Sequence, residues 1–139
     1  MTKGGLVGAE LTGKIIGCAI EVHRTLGGPG LLESVYEEAL CHELVESGFT
    51  VQRQLSAPIS YKGRVLSTPL CVDLLVDGQV VVECKAVAEY NKAFAAQTLT
   101  YLRLLNLRIG LVINFGEIYV RDGVHRVVNR LQEADRADG

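Results

Sequence analysis

Asp73, Glu83 and Lys85 are the residues of this chain best suited to do chemistry. They interrupt two otherwise apolar runs in the stretch Leu-Cys-Val-Asp-Leu-Leu-Val-Asp-Gly-Gln-Val-Val-Val-Glu-Cys-Lys-Ala-Val, residues 70–87. Runs this apolar read as strands covered on both faces. A charge buried there needs a partner, water or a metal ion. Two carboxylates and one ammonium converging on a sheet point to a metal-dependent hydrolytic site. The plainer alternative is an ion-pair network without metal, but stability rarely calls for two carboxylates about one lysine.

Convergence depends on the turn between the two strands. Side chains alternate faces, so Glu83 and Lys85 share one. A two-residue turn at Asp77-Gly78 sets Asp73 opposite Val82 and points it away from Glu83. A three-residue loop, Val76-Asp77-Gly78 with Gly78 left-handed, sets Asp73 opposite Val81 and on the face of Glu83 and Lys85. The site therefore predicts this loop or a bulge of equal effect.

The surrounding elements follow from periodicity. Residues 1–8 are glycine-rich and read as a loose start, as does the charged tail 133–139. Leu11, Ile15, Ile16, Ala19, Ile20 and Val22 recur at helical spacing, with Thr12 placed to cap the start and Gly27-Gly28-Pro29-Gly30 ending the helix near Leu26. A second helix spans about Leu31 to Ser47, with Leu32, Val35, Ala39, Leu40 and Leu44 as its core stripe and Glu33, Tyr36 and Glu37 on an adjoining face. A strand from Phe49 to Tyr61, broken near Pro58, carries Gln52, Arg53 and Gln54 and belongs near a sheet edge. Lys62-Gly63 turns into a strand near Val65, and Pro69 precedes the central hairpin. A third helix spans about Glu89 to Asn106, with Phe94, Gln97, Tyr101, Leu104 and Leu105 along one stripe. Gln97 in that apolar stripe calls for a definite hydrogen-bond partner. Residues 108–114 form a short buried strand, whose helical crossover implies parallel pairing with the hairpin. Glu117–Arg121 and Val124–Val128 read as short strands about an Asp122-Gly123 turn. The order ααβββαβ plus short C-terminal strands is that of a single α/β domain, a mixed sheet flanked by helices, over residues 1–139.

Composition narrows the function classes. The chain has 139 residues, 48% of them hydrophobic, enough for one domain with a real core. No apolar run is long enough to cross a membrane and no cleavable signal opens the chain, so a cytoplasmic protein is expected. Cys18, Cys41, Cys71 and Cys84 lie far apart, so they read as reduced thiols and not as a zinc site. The net charge of −2 provides no global basic field for nucleic acid, although a local groove can still be basic. Arg103, Arg108, Arg121, Arg126 and Arg130 are candidates for such a patch, with a solvated surface as the default. His23, His42 and His125 lack ligand spacing and read as surface or boundary residues.

With this element order, the sequence resembles the PD-(D/E)XK nuclease superfamily, whose D…ExK motif is matched by Asp73 and Glu83-Cys84-Lys85. Gly30-Leu-Leu-Glu33-Ser-Val-Tyr36 resembles the motif of the GxxExxY proteins, a branch of that superfamily, and Gln97-Thr-Leu-Thr-Tyr101 is similar to the Q-x-x-x-Y helix of RecB-like nucleases. The resemblance spans about Leu11 to Asn129. It departs from the superfamily's name in that Pro69 lies four residues before Asp73 and is not adjacent to it.

The resemblance implies a restriction-endonuclease-like core and metal-dependent hydrolysis of phosphodiester bonds in nucleic acid, DNA ahead of RNA. Asp73, Glu83 and the Cys84 carbonyl would hold Mg2+ or Mn2+, whose preference is for hard oxygen ligands. Glu33 would complete the shell directly or through water. Lys85 would orient the attacking water or stabilise charge on the phosphate, and Gln97 and Tyr101 would position these groups or the substrate. Tyr36 is a further substrate-binding candidate, although a buried tyrosine with a partnered hydroxyl is the commoner outcome. The side chain of Cys84 should face the core. The alternative function is an inactive module of the same fold that binds nucleic acid or a protein partner. A homodimer, or a larger partner beside the edge at Gln52–Gln54, is compatible with the small size.

Overall fold

The first helix, α1 (Gly8–Leu26), buries Leu11, Ile15, Ala19 and Val22 along one stripe and leaves Ile20 at the surface. It starts earlier than its periodicity suggests. Thr12 therefore lies inside the helix, where its hydroxyl donates to the carbonyls of Gly8 and Ala9 and accepts from Arg126, and it does not cap the start. The helix closes as expected at left-handed glycines, with the Gly28 N–H returning to the His23 carbonyl at 2.8 Å. The computed structural model describes residues 8–130. The predicted loose ends lie outside these residues except for Gly8, which opens α1.

Helix α2 (Glu33–Glu46) turns a different face inward from the one its apolar residues suggest. Tyr36, Glu37, Leu40 and Leu44 are buried, whereas Leu32 is 73% exposed and Val35 lies at the surface. Apolar and charged residues are spread around this helix, so the face is selected by what it meets. Strand β1 (Val51–Ala57) is followed by a small separate hairpin, β2 (Ser60–Tyr61) and β3 (Arg64–Val65). The central hairpin comprises β4 (Leu70–Val76) and β5 (Val80–Lys85). Helix α3 (Ala93–Leu105) crosses over to β6 (Ile109–Asn114), and β7 (Val124–Val128) closes the sheet.

The five-stranded sheet has the order β1-β4-β5-β6-β7. Only the β5–β6 pair is parallel, as a helical crossover requires. β1 is an edge strand, as its polar residues indicate. Helices α1 and α2 cover one face over Leu74, Val76, Val82, Cys84, Leu111 and Ile113. Helix α3 covers the other over Leu75, Val81, Val112 and Val127. The expected α/β class with a mixed sheet flanked by helices is the one found.

Three further expectations are corrected. Residues Glu117–Arg121 do not form a strand; the chain bends there and makes one 3-10 turn at Val120–Gly123. The cause is close approach at both ends. A Cβ on Gly116 would lie 2.2 Å from the Val87 carbonyl oxygen, and one on Gly123 would lie 2.4 Å from that of Asn114. In α3 the buried line runs through Thr98 and Leu102, whereas Leu104 is 51% exposed. Gly110 of β6 allows α3 to approach so closely that a Cβ there would meet Thr98 Cγ2 at 2.8 Å. His23 is buried and not at the surface; its Nε2 is 3.1 Å from the Phe115 carbonyl oxygen, and its ring lies near those of Tyr36 and Phe115. No helix among the described residues is long and apolar enough to cross a membrane.

Candidate active site

The turn that joins β4 to β5 sets the register of the carboxylates. Asp77 and Gly78 both have positive φ, and the Gln79 N–H donates to the Val76 carbonyl at 2.9 Å, as in the tight primed turns that suit hairpins. Asp77 and Thr50 exchange two bonds that hold the turn: the Asp77 N–H donates to the Thr50 carbonyl, and the Thr50 N–H donates to Asp77 Oδ1. Gln79 then adds one residue before pairing resumes at Val76↔Val80. The loop is therefore Asp77-Gly78-Gln79 and not Val76-Asp77-Gly78. The register differs by two residues from the expected one, and Asp73 falls opposite Glu83 instead of Val81. A shift of two leaves the parity of the register intact, but the ladder ends at Leu74↔Val82, so Asp73 and Glu83 meet through hydrogen bonds and not through a shared pairing.

Pairing between β4 and β5 stops at Leu74↔Val82, and side chains replace the missing ladder. The Asp73 N–H donates to Glu83 Oε2 and the Cys84 N–H donates to Asp73 Oδ2, each at 2.9 Å. On the other side of β4, the β1 pairing skips Gln54 and Asp73, and Gln54 has φ +51. The inward-facing pattern changes phase at this point. Val72 packs on the α3 side, whereas Leu74, two residues on, packs on the side of α1 and α2. This irregularity turns Asp73 out of the apolar layers and towards α2.

Helix α2 meets Asp73 through a residue that the sequence reading did not assign to the site. Glu37 is 5% exposed and accepts from Arg53 Nε at 2.8 Å and from the Gln54 amide at 2.9 and 3.0 Å. The same amide donates to Asp73 Oδ1 at 3.3 Å. Glu33, one turn earlier and exposed, adds its negative charge at Asp73. The available signal was this i, i+4 pair, which puts both carboxylates on one side of the helix.

Lys85 ends β5 with its ammonium 4.7 Å above the ring of Phe94. Its main chain is fixed by the Phe115 N–H, which donates to the Lys85 carbonyl at 2.7 Å. Buried Asn114 holds the next loop by exchanging two bonds with Val87. The side chain of Cys84 is fully buried in the core, as expected of the residue between Glu83 and Lys85. Tyr101 is half-buried on α3; burial raises the pKa of its hydroxyl, and the charges of Glu83 and Asp73 add to the shift. Gln97, one turn before Tyr101, is exposed and has no hydrogen-bond partner among the described residues, contrary to the expectation of a definite one. Tyr36 is fully buried against Phe115, and its hydroxyl donates to the Gly28 carbonyl at 2.7 Å and accepts from the Leu31 N–H at 3.1 Å. Buried with its proton already donated, that hydroxyl does not face a substrate.

The electrostatics show an excess of negative charge. Burial pushes the Glu83 carboxyl up to about 8, and repulsion by Asp73 adds to it. Burial likewise pushes Asp73 up to about 6, with Glu37 and Glu33 adding to the shift and the Cys84 N–H and Lys85 opposing it. Among the described residues, no three His, Cys, Asp or Glu side chains form a ready cation shell. The donor set nevertheless fits a hard cation, since two under-compensated carboxylates offer oxygen ligands. Magnesium is commonly bound through one or two carboxylates and several waters.

No curated protein and no solved structure matches the chain. A family model described as the PD-(D/E)XK nuclease superfamily matches residues 9–127. The mixed sheet and its flanking helices are consistent with that superfamily's restriction-endonuclease-like fold, whose nucleases generally use divalent metals. By that match over most of its length, the chain belongs to the PD-(D/E)XK nuclease superfamily.

Proposed function

We propose that the protein is a divalent-metal-dependent nuclease whose catalytic residues are Asp73, Glu83 and Lys85. The observation that carries this reading is the pair of carboxylates, Glu83 buried and Asp73 half-buried, that takes over the end of the β4–β5 ladder with too little positive charge around it. Asp73, Glu83 and the Cys84 carbonyl would hold magnesium or manganese, with Glu33 contributing directly or through water. When bound, such an ion supplies Lewis acidity to a phosphate oxygen and makes water a stronger nucleophile. Lys85, steered by the Phe94 ring, supplies a proton donor and positive charge beside the scissile phosphate. Gln97 and Tyr101, one turn apart on the rim of α3, orient the phosphate or the attacking water. Glu37, Arg53 and Gln54 hold Asp73 in place from behind.

The GxxExxY branch is supported by what each motif residue does. Gly30 has φ +115, Glu33 is the first residue of α2 and bears on Asp73, and Tyr36 clamps the entering loop through both of its hydroxyl bonds.

Cleavage of labelled single- and double-stranded oligonucleotides with and without magnesium or manganese tests the assignment. Asp73→Ala and Lys85→Ala should each abolish metal-dependent cleavage while the circular dichroism spectrum stays that of the wild type. Cleavage that survives both substitutions rejects these residues as the site. Binding by the wild type without cleavage would favour a non-catalytic module of this fold.

A further inference from the structure

We infer that the β2–β3 hairpin is a nucleic-acid-gripping arm, with Tyr61 as a stacking platform for an unpaired base and Lys62 and Arg64 as phosphate contacts. This rests on the nuclease reading and narrows its substrate to single-stranded or locally opened nucleic acid.

The first observation is charge. The protein is net negative, yet residues 47–72 contain Arg53, Lys62 and Arg64 and no acidic residue. The active-site carboxylates repel phosphate, so cations outside that cluster must hold the strand. The second is exposure. Tyr61 is 58% and Val65 70% exposed on a two-stranded hairpin that is separate from the main sheet. An isolated pair of strands is marginal in water, and exposed aromatic and aliphatic side chains do not stabilise it. The turn at Lys62-Gly63, both at positive φ, carries the Lys62 ammonium at the tip, 5.5 Å from the centre of the Tyr61 ring. An exposed aromatic beside two cations is the combination that binds single strands, with the ring stacking on a base and the cations following the backbone.

The third observation is placement. The hairpin leaves the main sheet where Ala57 pairs with Leu70, three residues from Asp73 along β4. Lys85 ends β5 at this same end of the sheet, since β5 runs antiparallel to β4. Leu55, Ala57 and Ile59 point alternately into the α3-side cluster, and Tyr61 is the next position in that row. The α3 side also holds Phe94 beneath Lys85. A strand lying along this row would pass from the arm to the carboxylates.

Fluorescence anisotropy of a labelled 20-nucleotide single strand, measured with chelator present so that no cleavage occurs, tests the arm. Tyr61→Ala should weaken single-strand binding about ten-fold or more, Tyr61→Trp should restore it, and duplex binding should change little, because duplex bases have no free face. Lys62→Ala/Arg64→Ala should weaken binding and lower the slope of log K against log salt by about 1.4, at about 0.7 per cation for single strands. All the changes are at the surface, so the melting temperature should hold within a few degrees. Wild-type affinity and salt slope in both variants overturn the arm. If Asp73→Ala still abolishes cleavage in that case, the nuclease reading stands without it. A wild type that neither binds nor cleaves any nucleic acid overturns both.

Discussion

Loading the carboxylate pair with a divalent cation should expel about one proton at pH 7. Glu83, pushed up to about 8, is about nine-tenths protonated at pH 7, and Asp73, pushed up to about 6, about one-tenth. A cation that uses both carboxylates must displace those protons. Between pH 6 and pH 8 the proton competition falls about 50-fold for Glu83 and about two-fold for Asp73, so the apparent affinity should rise about 100-fold and then level off. Titration calorimetry with manganese in buffers of different ionisation enthalpy reads the proton count directly. Glu83→Gln should bind the ion more weakly and release only about one-tenth of a proton. Release near zero by the wild type at pH 7, with an affinity indifferent to pH, would refute the claim that a metal ion replaces protons held by buried, mutually repelling carboxyls. A protein that binds no divalent ion at any pH would refute the site itself.

The same groups make the metal-free protein less stable as pH rises. The folded state holds the Glu83 proton more tightly than the unfolded chain, so the stabilisation is complete below about pH 4.5 and lost as pH climbs towards 8. The slope due to Glu83 alone should stay below about 1.4 kcal/mol per pH unit, with about 3–4 kcal/mol lost between pH 5 and 8 in urea unfolding and a flatter profile in Glu83→Gln. Glu37→Ala removes the acceptor of Arg53 and Gln54 and should cost about 2–3 kcal/mol, with a lower kcat because Asp73 loses its support. Tyr36→Phe removes both hydroxyl bonds and should cost about 1–2 kcal/mol by thermal unfolding, with kcat at the wild-type level below the transition; a selective loss of kcat would place Tyr36 at the substrate. Gly116→Ala drives a methyl group into the Val87 carbonyl and should cost about 2 kcal/mol or more, with a loss of cleavage through displacement of the loop after Lys85.

The parts of the candidate site legible in the sequence were those that break a local rule. Asp73, Glu83 and Lys85 were conspicuous because charge inside an apolar strand is costly wherever the strand packs. The closeness of Asp73 to Glu83 was legible as well, and two main-chain N–H bonds now join them. The register was not, because it depended on Gln79 forming an extra loop residue, and the reciprocal bonds between Asp77 and Thr50 span 27 positions. Gln54 gave no warning either. Glutamine has no special tolerance for positive φ; in that conformation its amide reaches Glu37 Oε1 and Oε2 and Asp73 Oδ1 and accepts from Cys71 Sγ.

Glu37 and Gln97 show the same limit from opposite sides. On a helix whose polar and apolar residues are mixed, Glu37 has no local reason to be buried. It becomes buried because Arg53 and Gln54, 16 and 17 positions later, bring two donors to it. Gln97 has a local reason to be buried, its place in an apolar stripe, but the absence of a side chain at Gly110 draws α3 down on Thr98 and Leu102 and rotates Gln97 to the rim. There its amide faces water with no partner among the described residues. A helix position chosen by the sheet's shape, and not by the helix's own pattern, is where an alternating or heptad-like reading fails. Of the two, Glu37 bears on Asp73 through the Gln54 amide, where β4 leaves its ladder and the packing around it loses its regular period.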